Sequence, residues 1–131
     1  MCGSRLFGFQ GKVLGISVDE PQDVLQFRVA SLASSAAELL GEKISFKPAD
    51  ILVNANYMGA GYGILGEPER EAIHLFASQE GLLLDPVYTG RAAAGLIDLV
   101  RKDFFKPVEN VLFWHTGGTP ALFADKYRGI A

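Results

Sequence analysis

The chain has few of the residues that build disulfide frameworks and metal centres. Cys2 is its single cysteine and His74 and His115 are its two histidines, which excludes an intrachain disulfide and a multi-cysteine zinc site. It has no excess of positive charge. Twelve Lys plus Arg stand against fifteen Asp plus Glu, for a formal net charge of -3, and no cluster of like charges argues for a nucleic-acid surface. It has no uninterrupted apolar run near the ~18 residues of a membrane span. The start, Met1-Cys2-Gly3-Ser4-Arg5-Leu6, lacks the basic segment and long apolar stretch of a secretory signal, so a cytoplasmic protein is the default. Internal repeats and low-complexity linkers are missing too. What the chain does have is apolar material. Hydrophobic residues make up 49% of 131 positions and mean hydropathy is +0.19, which excludes disorder and suits one compact domain over residues 1–131.

Short apolar runs alternate with amphipathic segments. Val13-Leu14-Gly15-Ile16-Ser17-Val18 has strand length and β-branched content, and Asp19-Glu20-Pro21 after it is a helix-start signal. Leu25, Val29, Leu32, Ala36 and Leu39 then recur at steps of three and four, predicting one apolar helix stripe that Gly41 ends. Ile51-Leu52-Val53 reads as a second strand, followed by a loop dense in glycine and tyrosine, Asn56-Tyr57-Met58-Gly59-Ala60-Gly61-Tyr62-Gly63. Glu67-Pro68-Glu69 starts a helix with Ile73, Phe76, Ala77 and Glu80 on one face and Gly81 at its end. Residues 91–101 are apolar nearly all round, as in a helix buried on most sides. Val111-Leu112-Phe113-Trp114 reads as a third strand, and Thr119-Pro120 opens a last short helix through Phe123. The strand-helix alternation predicts an α/β fold with a mostly parallel open sheet and flanking helices.

In open parallel sheets ligands bind beyond the carboxyl ends of the strands. Three glycine-bearing turns, 56–63, 85–90 and 115–118, lie after apolar stretches and carry hydroxyls. Tyr57, Tyr62, Tyr88, Thr89, Thr116 and Thr119 can therefore converge on one crevice, where hydroxyls donate and accept and a phenol can move a proton. The plainer alternative is that these are ordinary turns. His74, between Ile73 and Leu75, reads as a surface or half-buried histidine, and His115 alone is not a metal site. Cys2 has no neighbouring histidine to activate it. Gly61-Tyr62-Gly63 and Gly117-Gly118 lack the offsets of the dinucleotide fingerprint.

The wording of the loops is more specific than their composition. Gly61-Tyr62-Gly63, Glu71-Ala72-Ile73, the run Glu80-Gly81-Leu82-Leu83-Leu84-Asp85-Pro86-Val87-Tyr88-Thr89-Gly90, then Ala93-Ala94-Gly95-Leu96-Ile97 occur in order. Phe113-Trp114-His115-Thr116-Gly117-Gly118-Thr119-Pro120-Ala121-Leu122-Phe123 completes the set. Together they resemble the C-terminal portion of the pyridoxal-phosphate-dependent D-cysteine desulfhydrase and 1-aminocyclopropane-1-carboxylate deaminase family, whose fold is tryptophan-synthase-β-like.

The resemblance implies roles for individual residues. Tyr62 and Tyr88 match the two active-site tyrosines that flank the substrate and handle protons. Thr89 stands where the deaminase has a glutamate facing the pyridine nitrogen of pyridoxal 5'-phosphate. Thr116 matches the threonine near that nitrogen, and Gly117 and Gly118 let the backbone approach the ring. A carboxylate there favours the protonated ring and a deep electron sink, a neutral hydroxyl far less. Threonine thus points to β-elimination of D-cysteine to pyruvate, ammonia and sulfide, with cyclopropane opening as the alternative. The family's Schiff-base lysine and phosphate loop lie upstream of the matched region. Lys12, Lys43, Lys47, Lys102, Lys106 and Lys126 sit in no family-like context, so the chain reads as a truncated version, inactive alone, acting on a small amino acid only when completed. A separate N-terminal half or self-association is the partner this implies, and a non-catalytic assembly module is the competing reading.

Overall fold

The computed structural model describes residues 1–107 and 109–130. Its contacts cluster into two compact units, Met1–Ala55 and Asn56–Ala131, where the composition suggests a single domain.

The first unit opens with a five-residue helix α1 (Cys2–Leu6). Strand β1 (Leu14–Ile16) follows, then helix α2 (Gln22–Leu39), a 3-10 turn at Pro48–Asp50 and strand β2 (Leu52–Asn54). The strands pair in parallel with Leu14 opposite Leu52, Gly15 opposite Val53 and Ile16 opposite Asn54. This is the βαβ order read from the sequence. Ser17 closes the turn into α2, its Oγ donating to the Glu20 carbonyl at 2.6 Å and accepting from the Glu20 N–H at 3.1 Å. Gln26 ties α2 to the residue before the second strand by donating to the Ile51 carbonyl at 2.8 Å. The core is Ala30, Ala33, Phe46 and Ile51, flanked by Val29, Ile44 and Val53.

The face that α2 buries differs from the predicted stripe. Ala30, Ala33 and Ala37 are its buried residues, whereas Leu32 and Leu39 are 64% and 89% exposed. Small side chains let the helix lie close to the segments beneath it, which leaves the larger leucines outward.

The second unit holds helices α3 (Glu67–Glu80) and α4 (Thr89–Arg101), followed by 3-10 turns at Thr119–Phe123 and Asp125–Tyr127. Proline in the first turn of α3 and left-handed Gly81 (φ 66°) at its end match the sequence signals. The two helices pack through Ala72, Ile73, Ala93 and Ala94 with Leu84, and Phe76, Ile97 and Phe113 border this core. As predicted, α4 is buried on most sides, except at Val100 and Arg101 at its end.

The predicted third strand at 111–114 does not form. Among the described residues no strand edge is paired with it, and Leu112 and Trp114 are 80% and 77% exposed. A parallel-sheet strand is stabilised by a ladder and by cover on both faces, and this segment has neither.

Candidate active site

The second unit brings three turns together: Asp85 joins 85–90 to 115–118, and Tyr62 joins 56–63 to Tyr88. Asp85 is fully buried. Its Oδ2 accepts from the Val87 and Tyr88 N–H groups at 2.8 and 2.7 Å. Its Oδ1 accepts from the Thr89 N–H and hydroxyl at 2.6 and 2.7 Å. The carboxylate thus satisfies the Tyr88 and Thr89 N–H groups at the start of α4, and the Gly90 N–H donates to the Asp85 carbonyl at 2.8 Å. Burial pushes the Asp85 carboxyl upward, but the hydrogen bonds from the Thr89 side chain and from the Thr89, Tyr88 and Val87 N–H groups prevail. It ends below its usual range.

Thr89 is enclosed within this turn. Its hydroxyl donates to Asp85 and accepts from the Asp85 N–H at 2.8 Å, and the residue is 1% exposed. Tyr88, one position earlier, points outward at 46% exposure and meets Tyr62, which is 53% exposed. Their hydroxyls are in direct hydrogen-bonding contact, with the rings edge-on at 5.9 Å between centroids. Such a pair can accept a proton on one phenol oxygen and release one from the other at an open face.

Tyr62 is carried by a loop that a buried ion pair anchors. Arg91 Nε donates to Glu69 Oε1 at 2.8 Å, with side chains 1% and 5% exposed. Arg91 Nη1 donates to the Gly61 carbonyl at 3.1 Å and Nη2 to the Ile64 carbonyl at 2.8 Å. Glu69 Oε2 accepts from the Gly66 N–H at 3.0 Å, and the Tyr127 hydroxyl donates to the Gly63 carbonyl at 2.7 Å.

The third turn docks on Asp85. Gly118 is left-handed at φ 97°, and a Cβ there would lie 2.6 Å from Asp85 Cγ, so only glycine allows the approach. His115 bridges the turns. Its Nδ1 accepts from the Gly117 N–H, which places the ring proton on Nε2, the donor to the Leu83 carbonyl at 3.1 Å. Thr116 is exposed, and the position of a Cβ on Gly117 meets nothing within 4 Å, so its backbone is open to a ligand.

Of the candidate hydroxyls, then, Tyr62 and Tyr88 touch, and Thr116 lies exposed on the turn that docks on Asp85. Thr89 is enclosed and Thr119 faces the Leu83 carbonyl at 3.5 Å. Tyr57 is directed to Asp98, donating to Oδ2 at 2.7 Å. Burial first, then that hydrogen bond and the carboxylate's charge, push its phenol up to about 12. His74 is exposed. Asp85, Arg91 and Glu69 were missed by the sequence reading. Arg91 did leave a signal, a cation set directly before the apolar run 92–97 of its helix, which requires a carboxylate if it is buried. Among the described residues no group of three or more His, Cys, Asp or Glu could hold a metal ion, and no helix is long and apolar enough to cross a membrane.

Parallel strands with their crossover helix in the first unit, and hydroxyl-bearing turns in the second, two of them joined at a buried carboxylate, define a portion of an α/β protein. A crystal structure described as an ACC deaminase homologue superposes with a TM-score of 0.80 at 32% identity, over 99% of this chain and 39% of that one. No family model matches the chain. It is 42% identical over 113 residues to the D-cysteine desulfhydrase of Salmonella paratyphi C, covering 86% of this chain and 34% of the relative. It is 37% identical over 124 residues to the 1-aminocyclopropane-1-carboxylate deaminase of Cyberlindnera saturnus, covering 95% and 36%. The chain belongs to the D-cysteine desulfhydrase and 1-aminocyclopropane-1-carboxylate deaminase family, and spans about a third of the length of these curated relatives.

Proposed function

We propose that the chain supplies the proton-handling face of a pyridoxal-phosphate-dependent lyase of the D-cysteine desulfhydrase type. The observation that carries this reading is the contact between the Tyr62 and Tyr88 hydroxyls, brought together from turns 26 residues apart. The residues fit one edge of the coenzyme. Exposed Thr116 and the open backbone of Gly117 suit a flat aromatic ring. They do not supply the rest. Lys12, Lys43, Lys47, Lys102, Lys106 and Lys126 are all exposed, whereas a nucleophilic amine is activated by desolvation or by a neighbouring cation.

When bound, the coenzyme supplies the electron sink for loss of a proton and expulsion of a β-thiol. Tyr62 and Tyr88 hold and pass the proton. Position 89 offers no carboxylate to the pyridine nitrogen, because threonine stands there and spends its hydroxyl on Asp85. That supports conversion of D-cysteine and water to pyruvate, ammonia and sulfide over opening of 1-aminocyclopropane-1-carboxylate.

Exposed apolar residues favour a further element of the reading. Phe27, Leu32 and Leu39 in the first unit and Leu112, Trp114 and Phe123 in the second are 64–89% exposed. Faces of this kind are covered by a partner, here a polypeptide equivalent to the two thirds of the relatives without counterpart in this chain, or a second copy. The test is sulfide and pyruvate release from D-cysteine with added coenzyme. The chain alone gives none, and co-expression with the remaining portion of the Salmonella relative restores it. Turnover by the chain alone would overturn the account of the missing lysine.

A further inference from the structure

We propose that Arg91 is a positioning residue, whose buried guanidinium holds the loop at residues 59–66 in the conformation that lays the Tyr62 hydroxyl on that of Tyr88. The proposal rests on reading the tyrosine pair as the proton-handling groups.

The loop is also fastened by the Tyr127 hydroxyl at the Gly63 carbonyl and by Leu65 packed on the core, but its backbone resists ordering. Gly59, Gly61 and Gly63 all have positive φ, at 59°, 133° and 67°, and such a segment has a large backbone entropy to lose on ordering. Tyr62 and Ile64 are 53% and 47% exposed, so burial of their side chains contributes little. Polar bonds must do the fixing, and the guanidinium places them on both sides of Tyr62: the Gly61 carbonyl just before it and the Ile64 carbonyl two residues after. Glu69 completes the frame, receiving Arg91 Nε on one oxygen and the Gly66 N–H on the other. Charge-assisted bonds from a planar fork fix direction as well as distance, which a lysine ammonium cannot reproduce at three acceptors at once.

Arg91 also lies in the first turn of α4, three residues after Tyr88. The group that fixes one phenol is therefore tied through rigid helix to the other. A buried ion pair is in itself weak evidence for stability, since apolar replacements often serve as well. Its retention here is explained by what it orients.

The test compares Arg91→Lys with Glu69→Gln in the full chain, reading the ring-to-ring nuclear Overhauser contact between Tyr62 and Tyr88 beside the thermal melt. Arg91→Lys loses the contact while the chain stays folded. Glu69→Gln lowers the melting temperature and keeps the contact, because the bonds to Gly61 and Ile64 remain. Persistence of the contact in Arg91→Lys, or its equal loss in both variants, would overturn the proposal and leave Arg91 a purely structural residue. Should a variant not fold, the unsubstituted chain decides. Arg91 Nε–H and Nη–H protons that exchange slowly and lie close to the Gly61 and Ile64 α-protons support the proposal, and fast exchange without such proximity overturns it. These readouts are independent of turnover, so a failed lyase assay and a failed positioning test are told apart.

Discussion

Asp85 is the residue whose chemistry reaches furthest. Its carboxylate carries no exposed surface and accepts four hydrogen bonds, so the folded chain holds it ionised below its usual range. A depressed folded value means the folded state binds fewer protons than the unfolded one. The stabilisation is complete above the unfolded value of about 4 and is lost as pH falls through the folded value. Denaturant midpoints measured across the acid range will fall steeply in the unsubstituted chain below about pH 4, and Asp85→Asn will flatten that limb. Tyr57 works in the opposite sense. Its folded value is raised to about 12, so its contribution is full below about 10 and disappears as pH rises through the folded value. Tyr57→Phe will remove that alkaline loss. Gly118→Ala meets both a left-handed backbone and Asp85 Cγ at 2.6 Å, and will cost about 1–3 kcal/mol in chemical denaturation.

Among the elements, α3 and α4 were legible because their signals are local: proline and acids at one start, Gly81 at one end, apolar residues at helical spacing. Segment 111–114 misled because its β-branched and aromatic residues specify a strand only where an edge receives it, and none does among the described residues. The stripe predicted for α2 failed for a related reason. Leucine looks like the buried residue at any helical position, but the close approach selected alanines at 30, 33 and 37. The site divides in the same way. The motifs singled out Tyr62 and Tyr88, whose hydroxyls meet in the structure, whereas Arg91 reaches Glu69 and Gly61 over 22 and 30 residues, contacts that no local pattern encodes. Tyr127, near the chain end, also fastens the tyrosine loop. Tyr127→Phe leaves the Gly63 carbonyl without this partner, and equilibrium unfolding will read a loss of about 1–3 kcal/mol.

At the scale of the whole molecule, the chain matches about a third of its curated relatives' length and bears large exposed apolar residues in both units. Sedimentation in dilute buffer should show association of the isolated chain that grows with concentration, and co-expression with the remaining portion of the Salmonella relative should suppress it. A well-behaved monomer at high concentration would remove the case for a covering partner. The central claim is that two phenols from separate turns act as one proton-handling unit, and a double-mutant cycle on D-cysteine turnover by the co-expressed pair tests it most directly. Tyr62→Phe and Tyr88→Phe should each cost on the order of 100-fold, and the double variant little more than either alone. Near-normal turnover in either single variant, or losses that multiply in the double, would contradict the account.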